Sequence, residues 1–149
     1  MSKFIKVPEP VEMIELASEK PTGVVISLKD FIFVDVADHP MWNVGPTETR
    51  ALKDIVSAVN EMADGIVRIP DGAYPYLKKC VEAPEYRVFG IGGQEVSMRG
   101  YKRFTGAGLV QVLCIIEAIL DATDKEPRVV DTKDNGAVKK QLKQEPAQV

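Results

Sequence analysis

Asp35, Asp38 and His39 fall within one helical turn of one another in the sequence. At that spacing carboxylates and an imidazole can converge on a hard cation or share a proton. The chain has a single histidine, so any histidine-dependent mechanism rests on His39. The competing reading is local: Pro40 pushes His39 out of the α region, and Asp and His beside a proline suit the capping and termination of an element. Glu117 and Asp121 lie four apart, the spacing of a carboxylate pair on one helix face or of a stripe turned to solvent or to another subunit. Cys80 and Cys114 stand far apart with no C-x-x-C or Cys/His ligand spacing, and both are expected as free, buried thiols. A Cys80/His39 nucleophile pair would need a long-range meeting that nothing in the sequence specifies. No metal site and no cofactor is expected from these residues.

Two further segments invite a binding reading. Phe89-Gly-Ile-Gly-Gly-Gln-Glu95 is glycine-rich in the manner of phosphate loops, whose backbone N–H groups approach an anion closely. Its spacing fails both tests, because position 95 is Glu where a dinucleotide fingerprint needs glycine, and no Gly-Lys-Ser/Thr follows. It is expected as a conformationally special or mobile loop. Arg99-Gly-Tyr-Lys-Arg-Phe104 is the densest basic patch and interleaves cations with aromatics. Arg99, Tyr101, Lys102 and Arg103 suit phosphate contacts with base stacking, contacts to an acidic protein partner, or a solvated loop. Trp42, like Tyr74 and Tyr76, is an aromatic beside a turn, either an interface anchor or a lid on the core.

The elements that must position these residues follow from patterning. At 149 residues one domain is expected, burying roughly 70% of the surface of its unfolded chain. The net charge of -3 is too mild to imply a strongly charged partner. The start of the chain has no apolar run of signal-peptide length and no segment reaches a membrane span, so synthesis in the cytoplasm and no membrane association are expected.

Residues 1–23 mix prolines with apolar side chains and predict an extended arm or short strand packed on the body or on a neighbouring subunit. Residues 24–36 are rich in β-branched and aromatic residues, which favours strand, but Ser27 followed by Asp30 is a capping signal that opens a helix over 28–37. Gly45-Pro46-Thr47 starts an amphipathic helix whose apolar face runs from Leu52 to Ala63 and which Asp64-Gly65 ends. A short strand at 66–69, a helix at 75–83, a glycine-rich stretch of loops, turns or a flexible hairpin at 86–108, and an apolar helix at 105–122 buried nearly all round complete the globular part. From residue 124 the chain is polar and reads as a flexible tail, with a short helix near 137–144. The fold expected is mostly α, with α+β as the alternative: an arm at 1–23, a helical domain with a short strand pair at 24–123, and a tail at 124–149.

The succession DFIFVDVADHPMWN, TRALKDIVSAVNEM, IVRIPDG, YLKKCVEAP, a glycine-rich loop and LVQVLCIIEAILDA resembles small structural or assembly proteins of tailed-bacteriophage morphogenesis regions. It spans about residues 30–122, and is one of pattern, so no site residue is carried over. It implies a virion component or tail-assembly factor. Together with the absence of a catalytic set, the sequence predicts a non-enzymatic structural subunit that self-associates or joins a larger assembly. The alternative is a small nucleic-acid- or ligand-binding accessory protein using Arg99–Arg103, and an enzyme whose site is assembled from scattered residues stands third.

Overall fold

The computed structural model describes residues 2–126; the polar tail beyond 126 and the helix expected at 137–144 lie outside the described residues. The elements run β1 (Lys3–Lys6), β2 (Val11–Glu15), β3 (Lys20–Ile26), α1 (Leu28–Asp30), a π-helical run (Phe31–Val36), a 3-10 turn (Pro40–Asn43), α2 (Pro46–Asn60), β4 (Ile66–Ile69), α3 (Tyr74–Glu82), β5 (Glu85–Phe89), a second 3-10 turn (Ile91–Gly93), β6 (Glu95–Arg99) and α4 (Gly106–Leu120). The fold is α+β, 44% helical and 26% strand among the described residues, which corrects the mostly α expectation. The strands form three separate antiparallel ribbons, β1–β4, β2–β3 and β5–β6. They are short and half-exposed, so the alternation by which a strand is read from sequence has little length in which to show.

The segment expected as an arm packs on its own body. Ile5 on β1 is fully buried, and β1 pairs antiparallel with β4, Ile5 opposite Val67. On its other side β1 is held by Thr123, which exchanges two backbone hydrogen bonds with Phe4 at 2.8 and 3.1 Å. β3 then carries the chain through residues 23 and 24 as one strand.

The capping signal at Ser27 is realised in full. Its hydroxyl accepts from the Asp30 N–H at 3.1 Å and the Asp30 carboxylate accepts from the Ser27 N–H at 3.4 Å, the reciprocal box that satisfies helix-start donors. After α1 the helix widens: the Ala37 N–H donates to Ile32 O, five residues back, at 2.9 Å. Residues five apart then share a side, and Phe31 and Val36 are both buried. α2 buries Ala51, Ile55 and Val59 on the predicted face, and α3 buries Leu77, Cys80 and Val81.

α4 corrects a second expectation. It buries Val112, Ile115, Ile116 and Ile119 against β1, β2 and α3, but Val110 is 69% and Leu113 46% exposed and Cys114 is on the surface. Among the described residues no layer covers that stripe, which continues through the exposed Glu117 and Asp121. Cys80 is buried as expected, its thiol pushed up to about 12 by burial; Cys114 is not. Among the described residues no helix is long and apolar enough to cross a membrane.

Candidate interaction surface

The tertiary structure brings together two groups that are far apart in sequence, Asp35–His39 and Arg99–Phe104, and uses most of their members internally. Asp35 leaves the π-helical run with its side chain 1% exposed. Arg103 closes on it with Nη2 at 2.6 Å from Oδ2 and Nε at 3.2 Å from both oxygens, the planar fork geometry that suits a carboxylate. Burial raises the Asp35 carboxyl above its ordinary value, against the opposing pull of Arg103, and the nearby Asp38 adds to the rise. The Arg103 guanidinium also lies 5.1 Å from the Phe104 ring centroid.

Tyr101 donates its hydroxyl hydrogen to Val81 O at 2.7 Å and its ring stands 5.5 Å from that of Phe31. Trp42, 3% exposed, donates its indole N–H to Val36 O at 2.7 Å, a carbonyl at the end of the π-helical run that also accepts from the His39 N–H at 3.1 Å. Trp42 is therefore a lid on the core, and its indole is not presented to a partner. Tyr101 and Arg103 hold the chain after β6 against the π-helical run.

His39 is likewise committed. The Met41 N–H donates to its Nδ1 at 3.0 Å, so the ring proton sits on Nε2 and donates to Ala83 O at 3.0 Å. Both ring nitrogens are occupied on a residue 7% exposed, which is the capping role rather than that of a ligand or base. Asp38 Oδ2 is the one buried side-chain oxygen without a hydrogen-bond partner among the described residues. No group of three or more His, Cys, Asp or Glu there is arranged to hold a metal ion.

Glu117 and Asp121 line an open cleft of about 910 Å³ with Phe4, Lys6, Cys114 and Asp124. Lys3 pairs with Asp124 across its rim at 2.6 Å.

The β5–β6 ribbon, by contrast, keeps its side chains at the surface. Its register sets Tyr86 opposite Met98 and Val88 opposite Val96 on one face, and Glu85, Arg87 and Phe89 opposite Arg99, Ser97 and Glu95 on the other. The glycine-rich run is the turn of this hairpin: Gly92 and Gly93 take φ of 85° and 79°, a left-handed conformation that side chains resist. Beside them Phe89 is 79% and Ile91 104% exposed, and Val96 and Met98 are each 44% exposed. Arg99 and Lys102 are exposed and make no ion pair among the described residues. Of the loops, turns or hairpin that the glycine content allows at 86–108, the structure has the hairpin. The signal passed over in the sequence was Phe-Gly-Ile, two large apolar residues set where a polar turn is the rule.

No known protein family, no characterised protein and no solved structure matches this chain.

Proposed function

We propose that this chain is a non-enzymatic assembly subunit that meets other protein subunits through its β5–β6 hairpin. The observation that carries this reading is the group of large apolar side chains held in water at the hairpin: Phe89 at 79%, Ile91 at 104%, and Val96 and Met98 at 44% exposure. Scattered apolar residues on a surface need no explanation, but several on one protruding ribbon mark an interaction site. The ribbon gives such residues no packing of its own, and an isolated two-stranded ribbon is marginally stable in water. Contact with a neighbour supplies what the fold omits.

The committed state of His39, Arg103, Tyr101 and Trp42 supports the non-enzymatic part of the reading, since each has its polar groups paired within the chain. The pattern resemblance to tailed-phage morphogenesis proteins supplies the setting, a virion or tail-assembly intermediate. Sedimentation and native mass measurement of the chain alone and co-expressed with the products of neighbouring genes test the proposal. A complex heavier than the 16.4 kDa chain, weakened by Phe89→Ser with Ile91→Ser, is the expected result. A strict monomer under both conditions removes it.

A further inference from the structure

The free edge of β6 is complementary to itself. We propose that two copies of this chain join by antiparallel pairing of β6 with β6 about a twofold axis at Ser97, making a continuous four-stranded sheet; this rests on the assembly reading above and names one of its partners as a second copy.

Backbone polarity singles out the register. The Gly90 N–H donates to Gln94 O at 2.6 Å and the Gly100 N–H donates to Pro84 O at 2.8 Å. In an antiparallel ladder every second opposed pair is hydrogen-bonded, so within the hairpin these are 84/100, 86/98, 88/96 and 90/94. Val96 and Met98 therefore turn their N–H and C=O toward β5. Glu95, Ser97 and Arg99 turn theirs to the outer edge, and all five residues of β6 are exposed.

A twofold axis at Ser97 sets Ser97 against its own copy and Glu95 against the partner's Arg99. Each of these pairs lies in hydrogen-bonding register on the outer edge. The sequence Glu-Val-Ser-Met-Arg read against itself in reverse opposes acid to base at both ends. Opposite charges directly across strands stabilise pairing, and like charges oppose it. Arg99 enters this pairing without an ion pair of its own among the described residues, while Glu95 already meets Arg87 at 3.2 Å. Glu95 would then bridge two guanidinium groups. On the opposite face Val96 meets the partner's Met98 and the reverse, so the half-exposed apolar pairs of two hairpins merge into one patch.

The edges of β1 and β3 lack these features. β1 is closed by Thr123. β3, exposed from Lys20 to Val25, contains Pro21, which has no N–H to donate, and its sequence opposes no charges when read against itself. Edge strands in proteins that remain monomeric are blunted by short length, charged side chains, prolines, bulges or inward charges. β6 has no proline and pairs with β5 without a register shift, and the two charges it carries, Glu95 and Arg99, are of opposite sign and meet across the twofold axis.

Sedimentation of the purified full chain, to roughly 200 µM because small transient interfaces have Kd values near micromolar, tests the pairing. The expected mass is twice 16.4 kDa. Ser97→Pro removes an outward N–H without removing a bond to β5, and Arg99→Glu sets two acids across the axis; each is expected to halve the mass. The fourfold change E85R/R87E/E95R/R99E exchanges every charge on that face of the hairpin while keeping opposite signs across β5–β6 and across the two copies, and is expected to restore the dimer. Fluorescence of buried Trp42 verifies the fold of each variant.

A wild-type monomer throughout this range overturns the pairing, as does a dimer indifferent to Ser97→Pro and Arg99→Glu. So does a fourfold variant that keeps the parent fluorescence but stays monomeric. A monomer that nevertheless joins neighbouring gene products overturns the β6 pairing and leaves the assembly function standing. Failure of both experiments removes both.

Discussion

Two neighbouring stretches, residues 100–104 and the β5–β6 hairpin before them, are both aromatic and basic, yet they do opposite things. In the first, Tyr101, Arg103 and Phe104 are drawn against Phe31 and Asp35, and every polar group named there has an internal partner. In the second, Phe89, Ile91, Val96 and Met98 face water. The difference lies in what stands opposite. The π-helical run supplies an aromatic ring and a buried carboxylate, whereas β6 has only β5 beside it. Residue type does not settle which surface a protein keeps for partners; the availability of an internal counterpart does.

The largest effect that can break this contrast is expected at Phe31. Phe31→Ala removes a fully buried ring against which both Tyr101 and Phe104 pack, and should cost about 3–5 kcal/mol, read as a shift in the urea midpoint of Trp42 fluorescence. The same measurement on Phe89→Ser with Ile91→Ser should change stability by no more than about 0.5 kcal/mol. Comparable losses at the two places would mean that the hairpin tip is part of the core after all.

Next comes the ion pair. Arg103→Ala leaves the 1%-exposed Asp35 side chain without its fork and should cost about 2–3 kcal/mol, below the figure for a fully buried pair because the guanidinium is 34% exposed. Its pH dependence has a definite sign. Burial raises Asp35 in the fold above its ordinary 3.8, so the folded chain holds this proton more tightly than the unfolded chain does. The contribution favours the fold below 3.8 and is lost as pH rises through the raised value. The stability of the wild type relative to Asp35→Asn, from urea midpoints between about pH 3 and 7, should therefore decline with rising pH and then level off. A rise over that range would show that Arg103 outweighs burial.

A smaller effect is expected where the β2–β3 ribbon meets α4. Gln111 accepts from the Ile14 N–H at 2.8 Å and donates to Ile14 O at 3.1 Å, beside the register shift between Glu12 and Ile14. The side-chain amide thus stands in for a strand where the ladder is interrupted. Gln111→Ala should cost about 1–2 kcal/mol and speed amide exchange at Ile14. The smallest effect is at the thiols: native protein should take up one equivalent of a thiol reagent, at Cys114, with Cys80 reacting only on unfolding. Cys114→Ser should leave stability within about 0.5 kcal/mol.

Much of the local structure was legible without coordinates. The Ser27/Asp30 box, Pro46 at the start of α2, the strand at Ile66–Ile69 and the starts and stops of α3 and α4 depend on contacts within a few residues, which the sequence states directly. A short strand within residues 1–23 and a hairpin within 86–108 were among the readings the sequence allowed, but the partner of β1 and the register of β5 with β6 were not legible. β1 owes its strand to Val67 and Thr123, and β5 owes its own to β6, so the deciding partner lies elsewhere in the chain. The outer stripe of α4 was legible at Glu117 and Asp121 but not at Val110, Leu113 and Cys114, because periodicity reveals an apolar helix but not whether a layer covers each side.

By itself, then, the sequence determined where α2, α3 and α4 begin and end, that His39 would close a local turn, and that no motif for a cofactor is present in it. Only the tertiary structure decided that Arg103 and Tyr101 would be turned inward, that Trp42 would be a lid, and that the glycine-rich run would raise an apolar hairpin into solvent. The reason is range: caps and turns are made by backbone groups within reach of one another, whereas exposure is fixed by whatever distant segment arrives to cover a side chain.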